Sequence, residues 1–558
     1  MKLVSAALVL ATSTLLSLAS ATEGDWKPCP FSVQPDDVPA DARPFECTTQ
    51  KVPLCYDGIC KSDKKIDFFA LRRPAMNETT DGIKRAVILI QGGPGESSIG
   101  MEIPMFQLQQ QLGAVDFYTF DHRGTGRSEY IECEGMRSTS ANGFELTLEE
   151  LAGCLDEINT KYDGQAAGFS VTSAARDVEH LIKTYLSDHH VFLYGYSYGT
   201  YLTQRLLQLE IPQVKGYIFD GVDARSNEGD GIETANSHWN KAIHAPSKRL
   251  LQYCAADESC PLKLKSVETA YEEVMDMYKR IDAEIDTNEC LKKALTIDAN
   301  GTMLNTTTIR QNLFGMVMTT KTRAEALKNL ADLQPCLEPA TKKHGGKGLR
   351  GSHSEPAGIM PNPLTNTSQV LYSVVVYSER WSQPAPTKAE REKFFLDGPF
   401  SSESETLAQL YCVFTGSDEP ACTELKDLLP SNATKPFFYK RDEYFTKPLK
   451  LPTGTSALVI NGGLDFQTPM EFGQLLYKKL ADSGDGALMV TFDYGNHCAG
   501  EAAAEGEETP CRDSIVAQFV ANDGDIDEIS LECMETLPPL SFEVSEQTED
   551  DAAAEESK

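Results

Sequence analysis

The sequence predicts an α/β fold with a largely parallel sheet, helices on both faces, and an inserted, mainly helical cap. Three observations lead there. Short apolar runs alternate with segments of helical periodicity from Lys64 to Phe219. The rhythm then stops, and residues 225 to 395 carry mostly helical spacing. It returns at Ala457, so an insertion splits one α/β unit.

The elements follow in order. Met1-Lys2, an apolar run from Leu3 to Leu18 and the small-x-small site Ala19-Ser20-Ala21 read as a cleavable signal peptide over 1–21. The run is too short, and its flanks too uncharged, for a membrane anchor. No later run reaches about 18 consecutive apolar residues, so a soluble mature chain starting near Thr22 is expected. Residues 22–224 form the first part of the core, opening with a Cys- and Pro-rich segment. Strands are expected at Ile66–Leu71, Arg85–Ile90, Val115–Phe120, Val191–Tyr194 and Gly216–Phe219. Helices are expected at Met101–Leu112, Thr172–Leu186 (capped by Thr172 or Ser173) and Tyr198–Leu209. The cap spans 225–395, with helical spacing over Val267–Ile285 and Thr308–Leu333, then an exposed polar loop from Thr341 to Pro363. The second part of the core, 396–540, holds strands at Ala457–Ile460 and Ala487–Phe492 around a helix at Pro469–Leu480. The acidic tail, 541–558, is expected to be disordered.

Composition narrows the function classes. The 558 residues are 41% hydrophobic and 24% charged, an ordinary globular balance. Lys plus Arg is 51 against 83 Asp plus Glu, a net charge of −32. That argues against nucleic acid and against anionic membranes, both of which need a basic face. Fifteen Cys suit an oxidising compartment. Local pairing would join Cys29/Cys47, Cys55/Cys60, Cys133/Cys154, Cys254/Cys260, Cys412/Cys422 and Cys511/Cys533, and the odd count leaves a thiol over. No C-x-x-C spacing with matching His points to zinc, and no cofactor is implied. Sequons at Asn77, Asn300, Asn305, Asn366 and Asn432 add to the expectation of a secreted glycoprotein.

Gly195-Tyr196-Ser197-Tyr198-Gly199 has the form G-x-S-x-G between a strand and a helix, where a sharp turn lifts a serine oxygen above the sheet. Ser197 is therefore the expected nucleophile. A serine hydroxyl needs a base. His497, after the last strand, suits that role, whereas His122 sits in a Gly-rich structural loop, and His189 and His190 lie at the wrong end of the sheet. The acid that orients the base should follow Ala457–Ile460, and Asp465 is the carboxylate there, with Asp220, Asp223 and Asp493 as alternatives. Backbone donors for an oxyanion are expected from Tyr198 and from Gln91-Gly92-Gly93-Pro94-Gly95, with Gly93 the choice within that loop.

These motifs, together with Asp121-His122-Arg123-Gly124-Thr125-Gly126-Arg127-Ser128, Gly463-Leu464-Asp465 and Thr468-Pro469, stand in the order typical of one group. The chain resembles secreted serine peptidases of the tripeptidyl aminopeptidase and prolyl iminopeptidase type, which have the α/β-hydrolase fold. Val52-Pro53-Leu54 and the region from Cys511 to Cys533 fit the same pattern. The family often carries His where this chain has Gln91. The resemblance implies an exopeptidase with peptide substrates, a cap over the site, and a cap carboxylate holding the free amine. Glu379 in Tyr377-Ser378-Glu379-Arg380-Trp381 is the first candidate. A carboxylesterase or lipase, or an inactive hydrolase used for binding, are the alternatives.

Overall fold

The computed structural model describes residues 26–32, 44–136, 147–227, 229–296, 303–338, 367–430, 435–484, 486–499 and 510–544. The signal peptide, most of the acidic tail, the 341–363 loop, and the sequons at Asn300, Asn366 and Asn432 lie outside them. Asn77 and Asn305 are exposed.

Among the described residues nine strands form one sheet: β1 (Lys27–Cys29), β2 (Phe45–Pro53), β3 (Lys65–Arg73), β4 (Arg85–Ile90), β5 (Val115–Phe120), β6 (His190–Tyr196), β7 (Val214–Asp220), β8 (Ser456–Gly462) and β9 (Ala487–Phe492). Their order is β1-β2-β3-β5-β4-β6-β7-β8-β9. The first three pair antiparallel, and β3 is antiparallel to β5. Every pairing onward from β5 is parallel.

Parallel neighbours need crossovers, usually helical. They include α1 (Glu102–Gln111) before β5, α2 (Leu148–Lys161) and α3 (Val171–Tyr185) before β6, α4 (Tyr198–Gln208) before β7, and the helix Met470–Ala481 before β9. Both sheet faces are covered. Ala86, Ile88 and Ile90 of β4 pack with Val178 and Leu181 of α3 and Leu202 and Leu206 of α4. The alternate residues Val87 and Leu89 pack with Met105 and Leu108 of α1 and with Ile515 and Phe519 of the helix Cys511–Ala521. A strand buried on both faces is apolar at every position, which is why Ala86–Ile90 reads as an unbroken run after the half-buried Arg85.

Local differences from the sequence reading have local causes. Helix α3 starts one residue early because Ser170, not Thr172 or Ser173, is its cap, accepting the Ser173 N–H at 3.1 Å. The helical spacing over Thr308–Leu333 is two helices, Thr306–Val317 and Thr320–Ala331, separated by extended backbone at Thr319. Thr322 Oγ1 closes the break by donating to the Met316 carbonyl at 2.6 Å.

The span expected for the cap, 225–395, is not one packing unit. The helices continue to Thr446, and the sheet resumes only at Ser456. Packing draws a different line. Residues from Ile243 to Leu337, with Phe400, form a separate apolar cluster that is the cap's own core. Val370 to Trp381 and Ala408 to Leu449 belong to the cluster under the sheet.

Seven disulfides form. Six are the local pairs expected from spacing, and the seventh joins Cys290 to Cys336. Cys498 is the free thiol. No helix among the described residues is long and apolar enough to cross a membrane.

The Asp121–Ser128 segment is a structural knot. Asp121 is fully buried and accepts from the Ser98 amide and hydroxyl and from Arg127. Arg123, equally buried, forms a two-pronged pair with Asp177 of α3 at 2.6 and 2.7 Å. It also donates to the carbonyls of Pro53 and Leu54. One guanidinium thus ties the β2 end, the loop after β5 and α3 together. Removing one partner of such a buried pair leaves the other charge uncompensated. Asp177→Ala should therefore destabilise the fold by about 3–5 kcal/mol, read from the denaturant midpoint, whereas an exposed pair such as Lys84–Asp188 should contribute under about 1 kcal/mol.

Candidate active site

Strand β6 ends at Tyr196 and α4 begins at Tyr198. Ser197 between them has φ 53° and ψ −125°, a conformation that a non-glycine residue holds only when its surroundings enforce it. The two glycines provide that enforcement. A Cβ on Gly195 would lie 2.5 Å from the Gly199 carbonyl oxygen, and one on Gly199 would overlap the Ile90 carbonyl. The Ser197 N–H donates to the Asp220 carbonyl at 2.9 Å. Ser197 remains partly exposed, and its Oγ carries no hydrogen bond among the described residues.

The acid and base loops are packed backbone to backbone. Gly463 and Leu464 donate to the carbonyls of Phe492 and Gly495 at 2.7 and 3.0 Å. A Cβ on Gly462 or Gly463 would collide with the loop after β9. This contact sets Asp465 against His497, with Nδ1 to Oδ2 at 2.9 Å. Asp465 is fully buried and held from all sides. Its Oδ1 accepts the Gln467 and Thr468 amides at 2.7 and 2.8 Å, and its Oδ2 also accepts the Thr468 hydroxyl at 2.8 Å. Burial opposes charge on His497, but the Asp465 carboxylate overrides it and holds the imidazole well above its usual pKa. The end of β7 borders both loops: its Asp220 carbonyl holds the Ser197 amide, and a Cβ on the next residue, Gly221, would lie 3.1 Å from His497 Cε1.

The loop after β4 closes over the serine. A Cβ on Gly92 would lie 2.9 Å from Ser197 Cβ and 3.4 Å from its Oγ. The Gly92 N–H is taken by Gln91 Oε1 at 3.0 Å. Gly93 has φ 108°, and its N–H makes no hydrogen bond among the described residues. The Tyr198 N–H opens a helix, where amides lack intrahelical acceptors. Gln91, at the position where the family often has His, thus engages Gly92 and leaves Gly93 free.

The alternative acids are committed elsewhere. Asp220 accepts from the Tyr194 hydroxyl at 3.1 Å and lies 3.6 Å from Arg512; burial pushes its pKa up to about 6. Asp223 pairs with Arg380 through Nε at 3.1 Å and through Nη2. Asp493 is exposed. His122 is buried, with Nδ1 on the Arg123 carbonyl at 2.7 Å, and desolvation lowers its pKa to about 4. His190 pairs with Asp523 and His189 with Asp116, at the N-terminal end of the parallel strands.

Glu379 does not fit the role expected of it. It is 4% exposed. One oxygen accepts from Arg205 at 2.8 Å and from the Tyr201 hydroxyl at 2.9 Å, and the other from the Tyr439 hydroxyl at 3.0 Å. A carboxylate already neutralised by a buried guanidinium has no vacancy for a substrate amine. The sequence reading missed this because Arg205 is distant in sequence, on the buried face of α4. It also stopped at Gly95 and passed over Glu96, a partly buried carboxylate that accepts from Gln91 Nε2 at 3.0 Å. Cys498, beside His497, donates to the Asp220 carbonyl at 3.6 Å.

A mostly parallel sheet covered by helices on both faces, with the serine on a strand–turn–helix elbow and the Asp–His pair two loops away, decides the architecture. The fold is that of the α/β hydrolases. The family model described as alpha/beta hydrolase fold matches residues 85–271. Curated relatives include YuaR of Escherichia coli (strain K12), provisionally named a hydrolase, 27% identical over 44% of this chain and 50% of its own length. Serine protease Hip1 of Mycobacterium tuberculosis is 27% identical over 43% of this chain and 46% of its own. The chain spans about half the length of the curated relatives it matches. Among solved structures, proline iminopeptidase of Mycobacterium smegmatis aligns over 86% of this chain and 99% of its own, at 14% identity and a TM-score of 0.30.

The site makes a pH prediction. A base works only when neutral, and Asp465 raises the pKa of His497. The rate at which a fluorophosphonate labels Ser197 should therefore rise with pH, with a midpoint above 6.5. Asp465→Asn removes the largest cause, leaving the smaller one from Cys498, so the midpoint should move down while the maximal rate falls. A midpoint unmoved by Asp465→Asn would place another group in the role of base partner.

Proposed function

We propose that this protein is a secreted serine exopeptidase that releases residues or short peptides from peptide N-termini through an acyl-enzyme. The observation that carries the reading is the Asp465–His497 hydrogen bond beside a strained Ser197 elbow. His497 Nε2 takes the Ser197 hydroxyl proton as Oγ attacks the scissile carbonyl carbon. The carbonyl oxygen becomes an oxyanion, and the amides of Gly93 and Tyr198 donate to it. Asp465 stabilises the imidazolium, which returns its proton to the leaving amine as the C–N bond breaks. Water, deprotonated by the same imidazole, then cleaves the ester and restores Ser197.

Several features favour peptides over simple esters. The Gly92-Gly93-Pro94-Gly95 loop and the large cap match the resemblance to tripeptidyl and prolyl peptidases, and a relative at 27% identity is named a serine protease. Secretion is supported by the leader-like residues 1–21, by seven disulfides in one chain, and by the exposed sequons Asn77 and Asn305. No cofactor is needed for this chemistry.

Two outcomes test the reading. Ser197→Ala should abolish fluorophosphonate labelling and turnover, and Asp465→Asn should lower kcat by on the order of 10⁴ while Asp220→Asn does far less. A free-amine peptide substrate should be cleaved roughly 10²-fold better than its N-acetylated twin, the scale of one charged hydrogen bond of about 3 kcal/mol. Equal rates for both peptides would reject an exopeptidase and favour an esterase or an endopeptidase.

A further inference from the structure

The carboxylates around the site differ in what neutralises them. Glu379 has Arg205, Asp223 has Arg380, Asp220 has Arg512, and Asp465 has His497. Glu96 has no Lys or Arg within salt-bridge reach among the described residues, although it is partly buried. Its one protein donor is the neutral Gln91 amide, at 3.0 Å on Oε2. Burial raises its pKa, and the charged group acting on it is His497, from the loop after β9. A carboxylate withdrawn from water without a cation is unfavourable, and a ligand cation removes that penalty.

Its position is equally specific. Glu96 follows the Gly-Gly-Pro-Gly loop, and a Cβ built on Gly93 would lie 3.4 Å from Glu96 Cγ. Gly93 carries the free amide assigned to the oxyanion, and its neighbour Gly92 abuts Ser197. Gln91 links the two ends of the loop: its Oε1 accepts the Gly92 N–H, and its Nε2 donates to Glu96. The side chain at the family's usual His position therefore orients a carboxylate.

Resting on the exopeptidase reading, we propose that Glu96, oriented by Gln91, binds the free α-ammonium of the peptide substrate in place of Glu379. When a single residue is released, the ammonium lies beside the carbonyl that Ser197 attacks and gives Glu96 a counter-charge that persists when His497 is neutral. An N-acetylated peptide offers only a neutral amide there and leaves Glu96 without a counter-charge.

The test uses the full-length secreted protein and one chromogenic peptide in free and N-acetylated forms, with fluorophosphonate labelling of Ser197 confirming that each variant has an assembled site. In the wild type the free peptide should win by roughly 10²-fold in kcat/KM, and Glu96→Gln should bring that ratio to within about threefold of one. Glu96→Asp, which keeps the charge but draws it back by one methylene, should give a ratio between that of Glu96→Gln and that of the wild type; it also serves as the readout if Glu96→Gln does not label, since a ratio undiminished from the wild type's would then count against Glu96. Glu379→Gln should leave the ratio large. A large wild-type ratio that survives Glu96→Gln overturns the assignment of Glu96 and leaves the exopeptidase reading standing. A wild-type ratio near one overturns both.

Discussion

The constraint on which the site depends is the approach of the first turn of α4 to the end of β4. Gly199 lies so close to the Ile90 carbonyl that no side chain fits between them. That contact allows the chain to turn from β6 into α4 within one residue and imposes φ 53° on Ser197. Because Ile90 is the last residue before Gln91, the same contact fixes the loop that carries Gly92 and Gly93. Nucleophile and backbone donors are thus positioned by one steric event. The β7 end completes it: the Asp220 carbonyl holds the Ser197 amide, and Gly221 faces His497.

Electrostatics sorts the surrounding acids into roles. Burying a carboxylate without a partner is costly, so each buried acid finds a donor set, and the donor set states its task. Asp465 has amides, a hydroxyl and an imidazole, all of which orient it without a permanent cation. Glu379 and Asp223 have arginines and join the Val376–Arg380 turn to α4 and the β7 end. The Asp121 and Arg123 knot does the same work at the end of β5, where Arg123 holds α3.

Much of this was legible in the sequence because it is local. Short runs rich in apolar residues between turn signals mark strands, so β4, β5 and β9 are legible at their observed limits. The elbow needs glycines at fixed offsets, and the meeting of the acid and base loops needs Gly462 and Gly463, which is why Ser197, Asp465 and His497 could be singled out. Glu379 could not be judged this way. Its buried neighbours, Arg205, Tyr201 and Tyr439, come from distant segments, and no local pattern announces a tertiary ion pair. The packing of residues 369–380 is hidden for a similar reason: helical spacing reports a buried face but not which core it faces. They are helical like the rest of the span expected for the cap, yet they pack with the core under the sheet.

The cap's hold on the acid loop has a wider consequence. Leu464 and Phe466, on either side of Asp465, are members of the cap's own apolar cluster. Trp239, Arg249 and Arg323 from the cap donate to the carbonyls of Phe466, Gly463 and Leu464. The insertion is therefore no detachable module grafted on a finished enzyme. It forms one wall of the socket that holds Asp465, so the architecture constrains how such a chain diversifies. Surface residues of the cap are free to drift and retune what enters, while its inner face is bound to change only in step with the acid loop.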